Sequence, residues 1–65
     1  MTHKTIIDMI NHLDHLFRMA KDKGNYREMN NHRDALFRTY STLAHLGDKF
    51  QAEFVHCKTI IDNLS

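Results

Sequence analysis

Apolar residues recur at Ile6, Met9, Ile10, Leu13, Leu16, Phe17 and Ala20, in steps of three and four. That spacing places them on one face of a helix. The doublets Met9/Ile10 and Leu16/Phe17 widen the face, as expected of a helix that touches more than one neighbour. The pattern stops at Gly24. Asn25 with Glu28 three residues on then reads as a capping box, each side chain covering a backbone N–H at a new helix start. A second stripe follows at Tyr26, Met29, Leu36, Tyr40 and Leu43, flanked by Phe37 and Ala44 and broken by the charge of Arg33. Gly47-Asp48-Lys49-Phe50-Gln51 repeats the stop-and-start signal, with Asp48 as cap and Gln51 at the box position. The last stripe is Phe50, Phe54, Cys57, Ile61 and Leu64.

These patterns predict an all-α fold in a single domain spanning 1–65. Two arrangements fit. One is a small antiparallel bundle of three short helices at 3–23, 26–46 and 49–64, joined by short turns. The other is a helical hairpin whose second helix runs unbroken from 26 to 64. It is suggested by the steps of four and three from Leu36 to Leu64, which do not slip at Gly47. Such a helix would be about 58 Å long, and the first helix would cover only half of it. Adjacent Gly and Asp are poor in a helix interior, which favours the three-helix arrangement.

Size sharpens the question of partners. At 65 residues the chain makes one small core. Below roughly 70–80 residues such a core rarely supplies more than about 3–5 kcal/mol without a staple. The single cysteine, Cys57, makes no internal disulfide. A homodimer is therefore expected, with Phe50, Phe54, Cys57, Ile61 and Leu64 as its seam or as the seam for another protein. No secretory leader and no membrane-length apolar run is visible, so the expected setting is the reduced cytoplasm, with no membrane partner. The formal net charge of +1, with both signs mixed along the chain, gives little pull toward nucleic acid.

Two short words repeat. NHLDHLFR at 11–18 returns as NHRDALFR at 31–38, and KTIID at 4–8 returns at 58–62. The first repeat can arise from helix packing or an old duplication. It can also present one polar recognition surface twice, through His12, Asp14 and Arg18 and again through His32, Asp34 and Arg38. In KTIID the stripes use Ile6 in the first copy and Ile61 in the second. Those are different letters of the word, which argues against equivalent roles.

Candidate chemistry is sparse. Asp8, His12 and His15 share a helix face, but three ligands fall short of the four that a closed zinc site needs. They read as a solvated face, and no metal or cofactor is expected. His56 and Cys57 are adjacent, so on a helix they point about 100° apart and do not form a base–nucleophile pair. Cys57 lies on the apolar stripe and reads as a buried thiol. There is no phosphate-binding glycine loop and no nucleophile elbow, so catalysis is not expected. Arg18, Lys21, Lys23 and Arg27 gather near the first turn, and Ala20-x-x-x-Gly24 mimics helix-turn-helix spacing. Lys23, Asn25, Asn30 and Arg33 then occupy places where that motif needs apolar packing. Nucleic-acid binding would be a weak, backbone-directed accessory role. The favoured reading is a non-enzymatic regulatory or adaptor protein that binds another protein.

In length, helical grammar and wording, the run MTHKTIIDMINHLDHLFRMAKDKGNYREMNNHRDALFRTY resembles the small all-helical early proteins of lambdoid phages. These are encoded between the recombination and excision genes. The resemblance implies a protein made early in infection that acts in the host cytoplasm. It would act through protein contacts on host functions or on the lysis–lysogeny choice. It carries no functional residues over. The S-x-x-x-D signature of the sporulation phosphatases that act on response regulators fails here, since Ser41 is followed by Thr-Leu-Ala-His45.

Overall fold

The computed structural model describes residues 3–64. They are almost wholly helical, and no strand occurs among them. Helix α1 spans His3–Asp22 and α2 spans Tyr26–Leu46; a 3-10 turn at Gly47–Phe50 leads into α3, Gln51–Asp62. The body measures 37 × 17 × 16 Å. A straight helix over 26–64, about 58 Å long, would not fit within it. Instead α3 lies back along α2, so that Phe54 meets Tyr40 and Cys57 meets Leu36.

The first turn follows from its residues. Gly24 takes a φ of +71, which costs glycine little. Its N–H bonds Lys21 O at 3.1 Å and the Asn25 N–H bonds Ala20 O at 2.9 Å, together the paired bonds of a glycine-terminated helix. Asn25 Oδ1 accepts the Glu28 N–H at 3.3 Å and starts α2. Only that half of the expected capping box forms. The Asn25 N–H that Glu28 would cover is already bonded to Ala20.

The second turn departs further from expectation. No side chain caps α3, and Phe50 rather than Asp48 stands at its N-cap. The Gln51 N–H that an Asp48 side chain would cap is bonded to the Asp48 backbone carbonyl, which closes the 3-10 turn. Gly47 adopts φ 80 and ψ −149, and its N–H satisfies Leu43 O.

The core takes one fully buried side chain from each helix: Ile10, Leu36 and Cys57. Ile6, Phe17, Leu43 and Leu64 extend it toward the two ends. Leu13, Met29, Tyr40, Phe50, Phe54, Ile60 and Ile61 pack against it half-buried. Polar links among the described residues tie α1 to α3. Asn11 Oδ1 accepts from His56 Nε2 at 2.7 Å, and Glu53 Oε1 accepts from His3 Nδ1 at 2.5 Å. No helix among the described residues is long and apolar enough to cross a membrane.

Candidate functional surfaces

The seam read from the last stripe is turned inward. Cys57 and Leu64 belong to the core, and Phe50, Phe54 and Ile61 pack against it within one chain. Because α3 lies against both α1 and α2, these residues meet their own chain first. The Cys57 Sγ–H donates to the Leu36 carbonyl at 3.5 Å. Burial raises the thiol from 9.0 to about 11. The neighbouring His56 ring is bonded across to Asn11 rather than to the thiol. An inert structural cysteine results.

The repeated polar surface is not repeated in space. In the first word Asp14 and Arg18 pair at 3.0 Å. Among the described residues Asp34 and Arg38 form no such pair. The words also face the core differently. Phe17 is 4% exposed whereas Phe37, the same letter, is 41% exposed; the inward residue of the second word is Leu36. One residue of phase turns a helix by about 100°. His12, Arg18, Asp34 and Arg38 are exposed, and Asp14 and His32 are half-buried. Asp8, His12 and His15 all lie exposed on α1. Among the described residues no three His, Cys, Asp or Glu side chains gather as metal ligands would.

Sequence reasoning missed Glu53. It is 3% exposed and, among the described residues, the only charged one that is buried. Oε1 holds His3, whose ring also stacks on Phe50 with centroids 5.0 Å apart. Oε2 is buried without a partner. Burial pushes the carboxyl upward. The bond from its own backbone N–H, the bond from His3 and the His3 charge outweigh burial and hold it below the ordinary 4.5. The available signal was position: Glu53 stands three residues after Phe50 and four before Cys57, on the apolar face.

Among the described residues, two openings with apolar linings lie at opposite ends of the bundle. At one end Ile6, Met9, Leu43 and Leu46 form a trough of about 210 Å³ between α1 and α2, edged by Thr39, Thr42 and Arg38. Met9 is 39% exposed and Leu46 51%. At the other end lies a pocket of about 360 Å³ built by all three helical segments. Phe17 and Leu64 are its buried floor, and Lys21 and Arg33 are its cations. No protein-family model matches the chain, and no curated protein or solved structure matches it significantly.

Proposed function

We propose that the chain is a small non-enzymatic regulatory or adaptor protein that acts by binding proteins, as a closed three-helix bundle paired with a second copy. The observation that carries this reading is the trough at Met9 and Leu46. It is an apolar surface with few polar groups, on a chain too small to expose such residues without cost. A second copy seated there would bury it and enlarge the apolar core. The buried Cys57, with no base directed at it, supports a role without catalysis. The resemblance to lambdoid-phage early proteins supports a host-directed or lysis–lysogeny role in the cytoplasm.

The cations Arg18, Lys21, Lys23 and Arg27 near the first turn favour a second reading, a weak nucleic-acid accessory factor. Against it stand the net charge of +1 and the pairing of Arg18 with Asp14.

Sedimentation and melting test the pairing. The melting temperature should rise with protein concentration, and Leu46→Lys should give a folded monomer. A wild-type monomer at tens of micromolar, with a concentration-independent melt, overturns the pairing. Binding to random duplex DNA and RNA across a salt series tests the partner class. Micromolar or tighter affinity at physiological salt, with a steep salt slope, would favour the nucleic-acid reading.

A further inference from the structure

The pocket at the far end of the bundle differs from the trough in charge. Its apolar surface comes from Phe17, Met29, Phe37, Ile61 and Leu64, and among the described residues its only charged lining residues are Lys21 and Arg33. Among the described residues no carboxylate lines it, although the chain carries 8 acidic residues against 9 basic ones. Arg18, by contrast, is matched by Asp14 at 3.0 Å. Among the described residues neither Lys21 nor Arg33 has an acidic partner within ion-pair distance.

Arg33 is the informative residue. It breaks the second stripe between Met29 and Leu36, where packing alone calls for an apolar side chain. An apolar side chain there would extend the core and narrow the pocket. Instead the guanidinium lies over the Phe37 ring, 5.5 Å from its centroid. That contact holds a planar five-donor fork beside an aromatic side chain that is itself 41% exposed. Arginine with an exposed aromatic ring is a common anchor of protein interfaces.

We propose that this pocket binds an acidic amphipathic helix of a partner protein, one that sets an apolar side chain into the pocket and flanks it with carboxylates. The proposal rests on the protein-binding reading above and specifies its partner. Charge complementarity selects the occupant. Arg33 offers a carboxylate a bidentate contact and Lys21 offers a point charge. The two cations come from different helices, which suits two acids one helical turn apart around a central apolar anchor. A second copy of this chain, with both signs mixed along its helices, is a poorer match. Met29, half-buried in the wall, lets the pocket adapt to the anchor's shape.

The test uses the full chain and three probes. One is a fluorescein-labelled helical peptide with Leu and Phe on one face and Glu flanking them. The second has each Glu changed to Lys. The third is dodecanoate, a plain anionic amphiphile. The acidic peptide should bind, should weaken as salt rises, and should move backbone amide resonances around Lys21, Met29, Arg33 and Phe37. Lys21→Glu with Arg33→Glu should weaken it by about tenfold or more, and Phe37→Ser should also weaken it. All three side chains are exposed, so folding should survive, as circular dichroism would verify. Lys4→Glu, a charge reversal at an exposed position outside both openings, should leave the affinity unchanged. Equal binding of both peptides overturns the proposal, as does binding of dodecanoate without the acidic peptide, or no detectable peptide binding. Resonance changes confined to Met9 and Leu46 would overturn this site while leaving the protein-binding reading intact. Tight, salt-steep binding to duplex DNA would instead overturn that broader reading.

Discussion

Tyr40 on α2 and Phe54 on α3 stack with ring centroids 4.7 Å apart and planes inclined by 24°. The pair closes the antiparallel contact between the two halves of the long apolar stripe. Phe54 is half-buried, so its truncation removes less than a full core aromatic would. Phe54→Ala should cost about 2–4 kcal/mol, somewhat under the usual range for a buried Phe. That is still a large share of the stability expected at this size. A double-mutant cycle with Tyr40→Leu should return a coupling of about 0.5–1.5 kcal/mol from the stacked rings. Additive effects in urea denaturation would show that the stacking contributes nothing beyond burial.

Glu53 predicts the acid side of the stability profile. Its folded carboxyl lies below the ordinary 4.5. The folded protein therefore takes up this proton less readily than the unfolded chain. Its contribution is full above about 4.5 and is lost as pH falls through the lower folded value. Melting curves between about pH 7 and pH 3 should drop less steeply for Glu53→Gln than for the wild type. The asymmetry of the pair gives a sharper comparison. His3→Ala strands a buried carboxylate and should destabilise. Glu53→Leu leaves only an exposed histidine without its partner, and should be neutral or stabilising at neutral pH. A reversed order would mean that the ion pair contributes more than its desolvation costs.

Local signals were legible where the chemistry is local. Gly24 and Asn25 mark the first turn because both act on backbone groups within a few residues. Gly47 marks the second for the same reason. The Asp48 cap misled because the same N–H has two possible acceptors, and the 3-10 turn supplies the nearer one. Glu53 was hidden because its partner, His3, lies 50 residues away in sequence. The repeated words misled differently. Identical letters carry no record of helix phase, so the pairing of Phe17 with Phe37 could not reveal that one is core and the other surface. Phase is set by Leu13 against Arg33 and His15 against Ala35, the two places at which the words disagree. The seam of Phe50, Phe54, Cys57, Ile61 and Leu64 was legible as apolar. Whether its cover comes from the same chain depends on the path through Gly47.

Cys57 predicts the alkaline side. Burial lifts its thiol from 9.0 to about 11. The fold favours the protonated form, so its contribution is full below about 9 and is lost as pH rises through about 11. Labelling by a thiol-specific disulfide reagent should be slow in the native protein and should speed up only with global unfolding. Fast labelling of the native chain would show that α3 detaches from α2 in solution. Cys57→Ala, which removes the sulfur packed against Leu36, should make the alkaline limb shallower while lowering stability at neutral pH.

Gly47 discriminates between the two ways of connecting Tyr26 to Leu64, by the sign of one substitution. Its φ of 80 and ψ of −149 lie where a side-chain-bearing residue is strained. An added Cβ would meet nothing within 4 Å, so crowding adds no cost. Gly47→Ala should therefore destabilise by about 1–3 kcal/mol through backbone strain alone. In a continuous helix over 26–64 the same substitution would stabilise by about 1 kcal/mol, since alanine is the better helix former. Gly24, at φ +71 and also with open space, is the internal control and should lose stability on substitution in either arrangement. Urea midpoints at constant slope read the difference directly. A Gly47→Ala variant more stable than the wild type, beside a destabilised Gly24→Ala, would show that the chain in solution runs straight through residue 47. The seam from Phe50 to Leu64 would then need a second chain to cover it.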